Sequence, residues 1–185
     1  MIKQVALSGS CYWCMEAIFQ SLKGITHVNQ GWIAKKDPTI TGSHTSNEPS
    51  YHEPTYEAVL ITYDPSIIPL EVIIDIHIHT HSSTHQHALR SRYPSAVYAY
   101  DADDLVMIET ILHQFKKRFE STLLTQAFMA GNFIPSKQSM QDYFYSNPDK
   151  PFCQTIISPK LRKLMSEYAS WVDNRKKVQL ETSEF

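Results

Sequence analysis

The chain is predicted to fold as a layered α/β or α+β domain. Short apolar runs alternate with amphipathic helical stretches, turn residues separate them, and 42% of the 185 residues are hydrophobic. That composition supplies one sizeable core, and the length is too small for two. A single domain over residues 1–185 is expected, with a polar C-terminal tail over 174–185. Charged residues make up 19%, with a formal net charge of -2. Mixed signs without a basic excess argue against a nucleic-acid partner. No apolar run approaches membrane-spanning length, and Met1 to Leu7 is too short for the apolar part of a signal peptide. A cytoplasmic protein without membrane association is expected.

The first element is a strand over Gln4–Leu7, followed by Ser8-Gly9-Ser10 as a turn. Met15, Ile18, Phe19 and Leu22 then recur at helical spacing, with Ser8 or Ser10 as the cap and Gly24 as the stop. Cys11 falls at the helix N-terminus in either register. Val28–Trp32 reads as a strand, and Lys35–Pro54, rich in Pro, Ser, Thr, Asn and His, as a long loop. Tyr56–Tyr63 alternates in the manner of a strand, with Glu57 near its start and Asp64-Pro65 as its turn. Pro69 opens a helix carrying Leu70, Ile73, Ile74 and His77, and Ser82–Arg92 reads as loop. A strand over Ala96–Tyr100 precedes a long amphipathic helix behind Asp103 and Asp104. Weak signals place a strand at Ala127–Met129, a short helix at Ser139–Tyr145 and a strand at Gln154–Ile157. A last helix starts at Pro159, with one apolar face extending to Val172.

Three cysteines, Cys11, Cys14 and Cys153, are too few and of the wrong parity for a disulfide scaffold, and suit catalytic or redox thiols. A thiol at a helix start meets unpaired amide N–H groups and the positive dipole end, both of which favour thiolate. Buried packing cysteines are the plain alternative. The Cys-x-x-Cys spacing also fits a thioredoxin-like dithiol, although two aromatics, Tyr12 and Trp13, stand where Gly or Pro would be expected.

The stretch Gly9-Ser10-Cys11-Tyr12-Trp13-Cys14-Met15-Glu16-Ala17-Ile18-Phe19 resembles the signature of the A-type peptide methionine sulfoxide reductases, usually written Gly-Cys-Phe-Trp. The similarity continues through Leu22–Ile25, Tyr56–Val59, Ile61–Pro65, Arg92–Tyr98 and Asn147–Gln154, in order along most of the chain. It implies a two-layer sandwich with a mixed central sheet flanked by helices on a ferredoxin-like core. It also implies reduction of (S)-methionine sulfoxide, free or in peptides, without a bound cofactor or metal. Cys11 would attack the sulfoxide sulfur and become sulfenic acid, and a second thiol would condense with it to a disulfide recycled by a thioredoxin-like reductant. Glu57 is the implied acid, kept protonated by burial among Tyr56, Ala58 and Val59. Tyr93 would bond the sulfoxide oxygen, and Trp13 with Tyr12 would hold the substrate methyl group. The resemblance favours Cys153 as the resolving cysteine, with Cys14 as rival or relay.

Two positions depart from the pattern. Trp32 stands where the family has a pocket tyrosine, and its indole N–H can donate but not accept. Ala88 stands where the family has an aspartate. The same region, His77 to His87, holds five of the nine histidines. Two alternatives follow: a related thiol-exchange or redox-sensing protein without reductase activity, and a metal-binding module in which His77, His81 and His85 share a helical face. A loop after about His79 would destroy that face.

Overall fold

The computed structural model describes residues 1–36, 55–86 and 88–182. The expected long loop therefore lies almost wholly outside the described residues, as does His87. Five strands and six α-helices follow in chain order: β1 (Lys3–Ser8), α1 (Tyr12–Gln20), β2 (Ile25–Lys35), β3 (Thr55–Tyr63), α2 (Leu70–Thr80), β4 (Ala96–Ala99), α3 (Ala102–Arg118), β5 (Gln126–Pro135), α4 (Tyr143–Ser146), α5 (Ser158–Glu167) and α6 (Asn174–Thr182).

β3 lies between β1 and β2, antiparallel to both, and β4 pairs antiparallel with the other side of β1. β5 runs antiparallel to β2 and parallel to β4, so the strands close in the order β1-β3-β2-β5-β4. A mixed sheet in a two-layer sandwich was expected; the sheet is mixed, and its strand pairing closes it. The closure comes from β5. The sequence suggests only Ala127–Met129 there, whereas the strand has 10 residues and reaches both free edges. Closure removes the unpaired backbone groups of those edges.

Strand alternation divides the core into two faces. Val5, Leu7, Val59 and Ile61 pack against Ile18 and Phe19 of α1 and Ile73 and Ile74 of α2. Ala6, Ala58, Ala96, Ile33 and Tyr98 form a smaller cluster on the opposite face, inside the closed sheet. Three of those five are alanines, which lets facing strands approach across a narrow interior.

Several local expectations change. Neither Ser8 nor Ser10 caps α1; Cys11 itself is the N-cap residue, and the helix ends at Ser21. Gly24 lies beyond it, in the turn into β2, with φ +76° and an added Cβ 2.9 Å from Ile67 and Ile68. The expected strand at Gln154–Ile157 is a π-helical turn over Cys153–Ile157 that runs directly into α5. Burial of Cys153 and Ile157 against the core overrides the β-branched preference of Thr155, Ile156 and Ile157. The last helix stops at Glu167, after which Val172 bridges back to Leu22. The polar tail is helical over Asn174–Thr182. No helix among the described residues is long and apolar enough to cross a membrane.

Candidate active site

The β1–α1 junction delivers Cys11 to the surface. Its backbone (φ -54°, ψ 130°) is extended, and its carbonyl accepts from the amides of Cys14 and Met15, so its side chain stands at the helix start. Cys11 is half-buried. Its thiol is held below the ordinary cysteine value, first by a hydrogen bond from the Cys14 thiol and then by the amides of Trp13 and Cys14; burial and the charge of Glu57 oppose this. Cys14 is pushed the other way, because its proton is committed to Cys11 and its side chain is buried. The pair therefore favours charge on the Cys11 sulfur and the proton on Cys14.

Cys153 is 0% exposed, at the start of the π-helical turn, with burial raising its thiol and Lys150 opposing. Ser158 Oγ donates to its carbonyl across 2.9 Å. Cys14 feels the charge of both Cys11 and Cys153, which places it electrostatically between them.

Glu57 on β3 is 9% exposed, buried as expected, but apolar neighbours are only part of its surroundings. Arg92 Nη2 and Tyr93 Oη donate to Oε1 across 3.0 and 3.3 Å, and the Tyr12 amide reaches Oε2 at 3.4 Å. Glu57 thus joins the helix start to the segment after α2. Tyr93 meets the carboxylate rather than open space, so it and Glu57 form one polar group. Trp32 pairs directly with Glu57 across the β2–β3 ladder, which puts both side chains on one face of the sheet.

The aromatic wall differs in membership from the expectation. Tyr12 is buried and meets Trp32 edge-on, with centroids 5.7 Å apart. Trp13 stacks on Tyr143 at 4.0 Å with planes 10° apart, and Phe152 closes edge-on at 5.7 Å. Tyr143 is held there from below. The buried Glu16 carboxylate accepts from the amides of Asp142 and Tyr143 at 2.7 and 2.9 Å and from Gln30 Nε2 at 3.3 Å. Arg92, Tyr143, Phe152 and Glu16 were assigned no role from the sequence. Glu16, four residues after Tyr12 in a run of apolar positions, carried the one usable signal, a charge on a face destined for burial.

Beside Cys11 lies a cavity of about 310 Å³ bounded by Cys14, His81, Tyr93, Phe152 and Lys160. The histidine cluster does not converge. α2 ends at Thr80, His81 is its C-cap residue and exposed His85 sits in the following loop. His77 is buried, and its ring stacks on that of His81 at 4.3 Å. No group of three metal-donor residues occurs among the described residues. Ala88 is exposed and supplies no polar group.

A sequence model of the family described as "Peptide methionine sulfoxide reductase" matches residues 3–172. The MsrA protein of Psychrobacter sp. (strain PRwf-1) is 30% identical over 178 residues, covering 92% of this chain and 99% of the relative. That of Pseudarthrobacter chlorophenolicus is 27% identical over 176 residues, covering 93% and 99%. Among solved structures, methionine sulfoxide reductase A of Corynebacterium diphtheriae superposes with a TM-score of 0.63 at 17% identity, over 80% of this chain and 76% of that one. Reduced Mxr1 from Saccharomyces cerevisiae does so with 0.62 at 20%, over 82% and 89%. Mxr1 in complex with Trx2 gives 0.52 at 17%, over 74% and 81%. With the family match spanning residues 3–172, this chain belongs to the peptide methionine sulfoxide reductase family.

Proposed function

We propose that the protein reduces (S)-methionine sulfoxide, free or in peptides and proteins, to methionine, with Cys11 as nucleophile and a thioredoxin-like protein as final reductant. The observation that carries this reading is Cys11 at the α1 start, receiving the Cys14 proton and lying against Glu57. The Cys11 thiolate attacks the sulfoxide sulfur while a proton passes to its oxygen. The hydroxyl then passes from the substrate sulfur to the Cys11 sulfur as the bond between the two sulfurs breaks, so methionine leaves and Cys11 becomes a sulfenic acid. The Glu57 carboxyl group lies beside the helix start that carries Cys11, with Oε2 3.4 Å from the Tyr12 amide, and is the group we assign as proton donor to the sulfoxide oxygen. Tyr93 and Arg92 both donate to Oε1, and Oε2, which takes only the longer Tyr12 amide contact, is the oxygen that hands over the proton. Trp13, stacked on Tyr143, and Tyr12 with Trp32 form the apolar wall for the methyl group.

Cys14 resolves Cys11 first, because its thiol already points at that sulfur. Cys153 then exchanges with Cys14, and opening of the π-helical turn presents the resulting disulfide to the reductant. The Trx2 complex of Mxr1 supports a reductant of this class. Three free thiols fit a cytoplasmic setting. The 185 residues act as one such domain. Its β1-α1-β2-β3-α2-β4 order and β4-β1-β3-β2 pairing support a ferredoxin-like core, a two-layer sandwich rolled shut by β5.

The test is methionine formation from (S)-methionine sulfoxide and from an oxidised peptide, with thioredoxin, its reductase and NADPH. Turnover on both, abolished by Cys11→Ser, is expected. Disulfide exchange with thioredoxin but no methionine from either substrate would leave the non-reductase thiol reading in its place.

A further inference from the structure

We propose that Lys160 is the positive charge that holds the Cys14 thiolate as it attacks the oxidised sulfur of Cys11, an assignment that rests on the order of thiols above. Lys160 borders the same cavity as Cys11 and Cys14. It is the third residue of α5, half-buried, and its Nζ donates to the Thr80 carbonyl across 2.9 Å. That bond fixes the ammonium at the C-terminal end of α2 and leaves two of its N–H groups for the cavity.

In the resting state Cys14 keeps its proton because the Cys11 thiolate accepts it. Oxidation removes that acceptor charge, and the same thiol must now ionise while buried, a change that desolvation opposes. Of the charged and titratable groups that act on Cys14, Cys11 and Cys153 oppose ionisation, whereas Lys160 favours it. His81 also borders the cavity, but its ring bonds Ser95 Oγ through Nε2 and the His77 carbonyl through Nδ1. In the step itself, the Cys14 sulfur forms a bond to the Cys11 sulfur and the S–O bond of the sulfenic acid breaks. The departing hydroxide takes up the proton lost by Cys14, so two thiols and one sulfoxide oxygen end as one disulfide and one water. Lys160 stays charged throughout.

Lys163 supplies an internal control. Its Nζ donates to the His79 carbonyl across 2.8 Å, a tether of the same kind on the same helix end, yet it does not border the cavity. Pre-reduced full-length protein is oxidised by one equivalent of (S)-methionine sulfoxide or, separately, of hydrogen peroxide. The Cys11 sulfenic acid is trapped over time with a cyclic dione, and disulfides are mapped by mass spectrometry. Lys160→Met is expected to lengthen the sulfenic acid lifetime roughly tenfold, the order expected for removing one nearby charge from a buried thiolate. Lys160→Arg should restore it, and Lys163→Met should leave it near the unmodified value. Equal lifetimes in Lys160→Met and Lys163→Met, or a first disulfide that bypasses Cys14, would overturn the proposal. Peroxide generates the sulfenic acid without substrate, so a result there stands even if no methionine is released, which would instead remove the reductase reading.

Discussion

Arg92 Nη2 donates to Glu57 Oε1 across 3.0 Å, so the buried carboxyl group of the site is tied to a side chain that is itself 67% exposed. The bond comes from the segment just before β4 and sets a cation beside Glu57, in a chain that has Ala88 and Trp32 where the family has an aspartate and a tyrosine. Glu57→Gln keeps the size and loses the transferable proton. It should slow methionine release by about 10²–10⁴-fold, the usual range for a general acid. Arg92→Met should change the melting temperature little, because the Arg92 side of the pair is solvent-screened, while lowering kcat/KM. A melting curve and a single-turnover rate on each variant check both statements.

Gly9 tests the packing behind Cys11. It has φ +148°, and an added Cβ would lie 2.7 Å from Cδ2 and Nε2 of His81. That ring is braced by Ser95 Oγ at 2.7 Å, itself bonded to Thr125 Oγ1 at 2.7 Å. Gly9→Ala therefore combines backbone strain with a blocked neighbour and should destabilise the fold by roughly 1–3 kcal/mol. Urea unfolding would read this directly; an unchanged midpoint would contradict the contact.

His77 sets an acid limit on stability. It is buried, its Nε2 meets no partner, and its pKa lies well below the ordinary histidine value. Burial is the first cause and the charge of His81 the second; the backbone of Ser8 and Ala96 opposes in part. Because the folded state lowers this pKa below the unfolded value near 6.5, the stability it reflects is fully present above that pH. It is lost as pH falls toward the folded-state value, with a slope of up to about 1.4 kcal/mol per pH unit. Urea midpoints measured between pH 7.5 and 5 should fall, and His77→Leu should flatten that fall. A midpoint independent of pH in the unmodified protein would contradict the assignment.

Tyr143 and Glu16 test the aromatic wall. Tyr143→Ala removes the ring stacked on Trp13 at 4.0 Å and should lower kcat/KM about tenfold, mostly through KM, given roughly 0.5–1.5 kcal/mol for such a pair beyond its buried area. Glu16→Ala should do the same indirectly. It strands the Asp142 and Tyr143 amides, and should in addition destabilise the fold by roughly 1–3 kcal/mol. Steady-state kinetics and urea unfolding on the two variants separate the effects.

Much of the site was legible because its key residue is insensitive to boundaries. Cys11 opens α1 whichever turn residue caps the helix, and Glu57 lies early in β3 wherever that strand starts. Elements failed where tertiary contacts outweigh local pattern. β5 contains Gly131 and Asn132, and most of its side chains are only half-buried, so no alternation marks its length. The Thr155-Ile156-Ile157 run has strand propensity but is wound into a helix by the burial of Cys153 and Ile157. Arg92 was illegible for another reason: its role depends on a long, mostly exposed side chain folding back onto a carboxyl group 35 positions earlier, and no periodicity encodes that.

The most direct test of the account is a single turnover of pre-reduced protein, without thioredoxin, on each epimer of methionine sulfoxide. The account predicts prompt, stoichiometric methionine from the S epimer, loss of two thiols as a disulfide that includes Cys14, and no product from Cys11→Ser. A folded, fully reduced sample that releases no methionine from either epimer would contradict it.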